Sequence, residues 1–242
     1  MSIADKLTTI AENEQKVYDK GVEDGKKSEY DAFWDSFQNY GKETNCELFF
    51  SGNGWDKNNT RPKYDIKPVN MYMFTYNANN LSSFDWVAMF EQQGIVLDTS
   101  NCTEFTYAFL RGSHWGVIDT RKTTNLNVQM FFYATELHTI DELIVKETTT
   151  YGTNTFLGTT ALKNLKISGT IGRTITLAQS PLTVESAKSV INALKNYAGT
   201  DKQLTYKLTL KSTVWTALNE AETPPTGDTW EEYVQSLGWL YA

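Results

Sequence analysis

The chain has 242 residues, a formal net charge of −7 and a sequence pI near 5.0, which makes a phosphate backbone a poor main partner. With 40% hydrophobic and 21% charged residues it can bury a core, and its composition is not that of a disordered chain. No stretch reaches the roughly 18 apolar residues that a membrane span needs, and Cys46 and Cys102 form neither a disulfide framework nor a paired metal-ligand spacing, as expected of a protein made in a reducing compartment.

Residues 1–41 read as helix. Ile3, Leu7, Ile10 and Val17 lie on a heptad stripe whose missing seam position is Glu14 and whose next two are Gly21 and Asp24. A helix with so short a stripe and mixed charges around it needs a neighbour, either its own copies or another protein. Asp5, Glu12 and Glu14 stand where a signal peptide would need its apolar stretch, so no signal peptide is expected. Ser28 to Tyr40 carries Tyr30, Phe33, Trp34 and Phe37 on one face and stops at Gly41; this face either packs on the main domain or docks on a larger assembly. Residues 42–70 are an extended linker, with a strand candidate at Glu47 to Phe50 and turn chemistry from Ser51 to Pro62. Asp56, Asn58 and Thr60 match the start of a calcium loop, but the sixth-position glycine and the closing glutamate are missing, so a turn is expected and no metal.

An internal repeat occupies residues 71–175. Phe109 is followed at plus six and plus nine by Trp115 and Ile118, Phe131 by Leu137 and Ile140, and Phe156 by Leu162 and Leu165. The phenylalanines recur at intervals of 22 and 25, a period typical of stacked repeats in which each unit buries its apolar face on the next. Leu143 to Val145 and Leu165 to Ile167 are the expected strands, pairing in parallel, with threonine-rich turns between them. In an earlier, degenerate unit, Trp86, Met89 and Phe90 mark a helical insert that ends at Gly94. The competing architecture is an antiparallel sandwich with fortuitous spacing.

Residues 176–242 are the expected α/β cap over the end of the repeat. Pro181 to Leu194 carries Val184, Ala187, Val190, Ile191 and Leu194 on one helical stripe, and Thr205 to Leu210 alternates as a strand. Ser212 is placed to cap a helix bearing Val214, Trp215 and Leu218. After the break at Thr223 to Gly227, Asp228 is placed to cap a last helix bearing Trp230, Tyr233, Val234 and Leu237.

Chemistry of a recognisable kind is sparse. His114 and His138 are the near-neutral bases, and the run Ser113-His114-Trp115 would need a bend before its hydroxyl and imidazole could meet. There is no Gly-x-Ser-x-Gly elbow and no His-Glu-x-x-His, and Gly169-Thr170-Ile171-Gly172 is too short to cradle a phosphate. The expectation is a non-enzyme with no cofactor. His114, Trp115, Tyr133 and Tyr151 are the candidate exposed binding contacts, near the repeat turns; Ile3, Leu7, Ile10 and Val17 are the candidate docking or oligomerisation residues.

The spacing Phe-x5-Leu-x2-Ile/Leu, with Asn-Cys-Thr-x-Phe at residues 101–105, resembles BspA-like leucine-rich repeats. The opening from Ile3 to Tyr18 and the Ser-Glu-Tyr-Asp-x-Phe-Trp-Asp run from Ser28 to Asp35 are similar to small repeat proteins encoded in prophages of gut Firmicutes. Two departures stand out: Trp115 replaces the usual aliphatic residue, and the glycine-rich extension after the first helix is reduced to Gly21 and Gly25. The resemblance implies an α/β fold: a short leucine-rich-repeat solenoid with a parallel strand ladder, an N-terminal helix and a C-terminal α/β cap. It further implies a virion-associated tail or baseplate accessory or host-recognition adhesin, made in the bacterial cytoplasm. Its partners would be other virion proteins, met through the N-terminal helix, and a host-surface glycan or protein, with a trimer as the oligomer considered. A purely architectural capsid or baseplate subunit and a bacterial BspA-like surface adhesin are the alternatives.

Overall fold

Every strand pairing among the described residues is parallel. The computed structural model describes residues 65–242 except 124, 127 and 128, together with the backbone of Thr44–Asn45. The helix expected over 1–41, with Ile3, Leu7, Ile10 and Val17, and the strand expected at Glu47 to Phe50 lie outside the described residues. The result is a mixed α/β fold of parallel sheets and four helices, with no closed barrel among the described residues.

In chain order, β1 (Thr44–Asn45) pairs with β2 (Pro68–Asn70), and helix α1 (Trp86–Gln93) comes next. Then come β3 (His114–Asp119), β4 (Asn125–Leu126), β5 (Thr139–Val145), β6 (Thr150–Tyr151) and β7 (Asn164–Gly169). β3, β5 and β7 form one sheet, and β4 and β6 form another. After β8 (Ile175–Leu177) and α2 (Val184–Asn192), β9 (Lys207–Leu210) leads to α3 (Ser212–Ala221), α4 (Trp230–Ser236) and β10 (Leu240–Tyr241). β8, β9 and β10 make the last sheet, so β8 runs across the boundary expected at 175/176 and pairs with the C-terminal part.

The register confirms a period but corrects its phase. His114, Thr139 and Asn164 are in register, as are Trp115, Ile140 and Leu165, at a constant step of 25 in residue number. Phe109, Phe131 and Phe156 stack with ring centroids 5.6 and 5.2 Å apart, nearly parallel at 23° and 17°. The three rings thus form one continuous stack in the core. Trp115, however, is the counterpart of Ile140 and not of Leu137, and Ile118 is the counterpart of Leu143. The shared offsets of plus six and plus nine in the first unit are therefore coincidental, because that unit is shorter by three between its phenylalanine and its strand. Where later units place Leu137 and Leu162, the first has Gly112. A Cβ there would come within 2.4 Å of the Trp86 ring, so the Trp86 indole occupies the missing leucine's space. That indole lies stacked on Trp115 at 4.7 Å and 13°.

Both ends of the β3-β5-β7 sheet are covered by helices. α1 starts at Asp85, whose carboxylate accepts a hydrogen bond from Ala88 N at 2.9 Å, and ends at Gly94 in the left-handed conformation (φ 64°). Trp86, Met89 and Phe90 are buried, as the insert's spacing predicts. At the other end α2, capped by Thr183, presents Ser186 and Ser189 to β7. The N–H groups of Leu165 and Ile167 donate to these two hydroxyls at 2.9 and 2.8 Å, so side chains of a helix take the place of the next strand. The later helices differ slightly from expectation. Thr229 rather than Asp228 caps α4, accepting from Glu232 N, and α3 begins at Ser212 with Lys211 at the cap and no side-chain hydrogen bond there.

Candidate binding surface

The outward face of the β3-β5-β7 sheet is shaped by a difference in residue count between paired positions on β5 and β7. On β7, Leu165 and Ile167 turn inward and leave Lys166 alone on the outer side. Their partners on β5, Ile140 and Leu143, are separated by two residues, so Asp141 and Glu142 both emerge opposite that one lysine. This is the effect of a β-bulge: one extra residue re-aims a side chain. Glu142 takes the lysine, with Lys166 Nζ 3.0 Å from its Oε1, and also accepts the Ser168 hydroxyl. These contacts, the serine first, hold its carboxyl below the usual carboxylate range.

Asp141 is thereby left to His114, whose Nε2 lies 2.7 Å from Asp141 Oδ1, while its Nδ1 lies 3.3 Å from Asp85 Oδ1. Burial alone would push the imidazole pKa down; the hydrogen bond to Asp141 and the charges of both aspartates outweigh it, and the net direction is up. In the same column Asn164 Nδ2 donates to Thr139 Oγ1 at 3.2 Å. Beside it lies a shallow depression of about 320 Å³, bounded by Thr139, Asp141, Asn164, Lys166, Glu185 and Ser189. A second depression of about 350 Å³ opens toward the other end of the strands, where Val96 and Val117 are 57% and 50% exposed above Asp65 and Asp98. Hydrogen bonds from Ser100 hold the Asp98 carboxyl low. Asp119 is nearly buried; burial would raise its carboxyl, but hydrogen bonds from the Arg121 side chain and backbone bring it below its ordinary value.

A row of aromatic rings forms a separate surface. Tyr76 and Tyr107 are 5.7 Å apart, Tyr107 and Phe132 6.2 Å, and Phe132 and Tyr133 4.6 Å. Tyr107 and Tyr133 hold φ of 55° and 53°, a left-handed backbone that tyrosine adopts at a cost of about 1 kcal/mol or more. Tyr133 is 55% exposed, and Gly158 makes room beneath it, since a Cβ there would lie 2.8 Å from Tyr133 Cα.

The four predicted contact residues part company. His114 is half-buried and reaches the outward face, and Tyr133 is exposed on the aromatic row. Trp115 is wholly buried, so it is a core residue and not an exposed contact: alternation along β3 turns it inward, onto Trp86 and Phe109. Tyr151 is also buried, at 9% exposure, because β6 turns it into the core; burial raises its phenol pKa. The structure thus corrects both expectations of exposure. It does not bring His114 and Tyr133 into one site. Ile3, Leu7, Ile10 and Val17 lie outside the described residues. Asp85, Asp141, Lys166 and Asn164 were missed. The step of 25 that relates His114 to Thr139 and Asn164 was the available signal, once the phase had been read from the strands rather than from the phenylalanines.

Chemically the surface offers carboxylates, amide, hydroxyl and one ammonium over a rigid sheet. Both nitrogens of His114 face carboxylates, and the Ser113 hydroxyl donates to the carbonyl oxygens of Ser83 and Phe84, so the two side chains are not bonded to each other. Among the described residues no group of three His, Cys, Asp or Glu side chains could hold a metal ion, and no helix is long and apolar enough to cross a membrane. No protein-family model, curated protein or solved structure matches the chain.

Proposed function

We propose that this is a non-enzymatic binding protein of a phage virion. In this proposal its central part is a short leucine-rich-repeat solenoid that presents the outward face of β3-β5-β7 to a partner. The carrying observation is the regular polar column on that face, His114 to Thr139 to Asn164, between two capping helices. Parallel pairing at a step of 24 to 25 residues and the stacked phenylalanines support the solenoid. A rigid sheet with side chains at fixed spacing loses little conformational entropy when a partner engages it. The likeness of residues 3–18 and 28–35 to prophage-encoded repeat proteins supports the virion placement and a docking role for Ile3, Leu7, Ile10 and Val17.

A reconstruction of the parent particle tests the proposal, together with adsorption of virions that lack the protein. The expected result is density at the host-proximal end with the ladder face toward solvent, and reduced adsorption. A ladder face buried against other virion proteins, with normal adsorption, would establish the architectural subunit instead. Purified particles devoid of the chain would overturn the virion role altogether.

A further inference from the structure

His114 stands where three elements meet. It is carried by β3, Asp85 at the cap of α1 faces its Nδ1, and Asp141 on the bulged part of β5 faces its Nε2. These two aspartates are the charged groups that act on the ring. Asp85 has two other duties: it caps α1 through Ala88 N, and it makes the single parallel bridge that joins the chain before α1 to His114.

A neutral imidazole has one N–H, whereas the imidazolium has two. With a carboxylate at each nitrogen, the cation donates to both in charge-assisted bonds. The neutral ring satisfies one carboxylate and turns a lone pair on the other. The shorter contact, 2.7 Å to Asp141, keeps the remaining proton, and Asp85 at 3.3 Å loses its donor. Asp85 is then a carboxylate facing a lone pair at the very position that caps α1.

We propose that Asp85, His114 and Asp141 form a proton-operated latch between α1 and the parallel ladder, closed while the ring carries two protons and loosened on the α1 side when it loses one. The latch regulates local opening of α1 and not its presence, because Trp86, Met89 and Phe90 keep the helix anchored in the core. It does not depend on what the ladder face binds.

Hydrogen exchange on the full-length protein between pH 5.5 and 8.5, corrected for intrinsic rates, tests this, with α2 as the internal reference helix. Protection of α1 amides relative to α2 is expected to fall about three- to fivefold across that range, the scale of one partly exposed charge-assisted bond. The ring C–H resonance of His114 should titrate along the same curve. In His114→Gln the ratio should be flat with pH, and in Asp141→Asn its midpoint should move to lower pH. A flat ratio in the native protein, or one that keeps its pH dependence in His114→Gln, would overturn the latch; so would an unmoved midpoint in Asp141→Asn, which retains the imidazole if the glutamine variant does not fold.

Discussion

The middle of the molecule and its C-terminal part use the same parallel pairing at different periods. In the β3-β5-β7 sheet the step in residue number is 25 from β3 to β5, and from β5 to β7 it is 25 before the bulge and 24 after it, with turns between the strands. In the β8-β9-β10 sheet the steps are 33: Ile175 pairs with Leu208, and Leu208 with Tyr241, with α2 in the first crossover and α3 and α4 in the second. The N-terminal side is also longer, since the bridge from Asp85 to His114 spans a step of 29 with α1 inside it. The crossovers into β9 and β10 and the one before β3 are thus longer than the strand-and-turn step, whereas the parallel bridge from Ile171 to Leu194 encloses α2 in a step of only 23. The helices also finish the sheets, as Ser186 and Ser189 do for β7.

Removing core side chains from either region should have the largest effect. Phe131→Ala takes out the central ring of the stack and should cost about 3–5 kcal/mol in denaturant unfolding. Trp239→Ala, in the C-terminal part, removes a buried indole whose Nε1 donates to Lys195 O, with a cost in the same range. If the regions fold as one unit, each variant shifts one common transition; two separate transitions would split the molecule at β8.

Gly112→Ala probes the space that Trp86 fills in the first unit. The new methyl meets the Trp86 ring and the residue has φ +125°, so a loss of about 2–4 kcal/mol is expected. Gly116→Ala, whose nearest neighbour would be Val87 Cγ2 at 3.4 Å, should cost under about 1 kcal/mol. Equal losses at the two glycines would contradict the crowding at Trp86.

Ser186→Ala with Ser189→Ala asks how the middle sheet is finished. Each leaves a β7 N–H without its acceptor, about 1–2 kcal/mol apiece, read by denaturation and by faster exchange of the Leu165 and Ile167 amides. The smallest effect is on pH. The folded-state pKa of His114 is raised, so its stabilisation is complete below the ordinary imidazole value of about 6.5 and is lost as pH rises through the higher folded value. The ring is partly exposed, so the loss should stay under about 1 kcal/mol, and it should vanish in His114→Gln when stability is measured at pH 5.5 and 8.5.

Several elements were legible because their signals are local. Trp86, Met89 and Phe90 with Gly94 marked α1, and Val184 to Ile191 marked α2, since a 3.6-residue stripe and a stop are properties of consecutive residues. Leu143 to Val145 and Leu165 to Ile167 fell in β5 and β7 for the same reason, having short apolar runs bounded by turns. The candidate surface was much less legible. The Asp85–His114–Asp141 contact joins side chains far apart in the chain: the bridge from Asp85 to His114 supplies one carboxylate, and the extra residue of β5 relative to β7 between paired core positions accompanies the other. No composition or spacing within either strand reports a mismatch between them.

A repeating apolar pattern was enough to foretell parallel strands with helices interrupting and ending them, because periodicity within a segment dictates which side chains can share a face. Tertiary structure alone decided the phase of the first unit, the inward turn of Trp115 and Tyr151, and the meeting of His114 with two carboxylates. Those depend on how neighbouring segments align, and alignment is settled by packing volumes such as the Trp86 ring against Gly112, which belong to pairs of segments and to neither one alone.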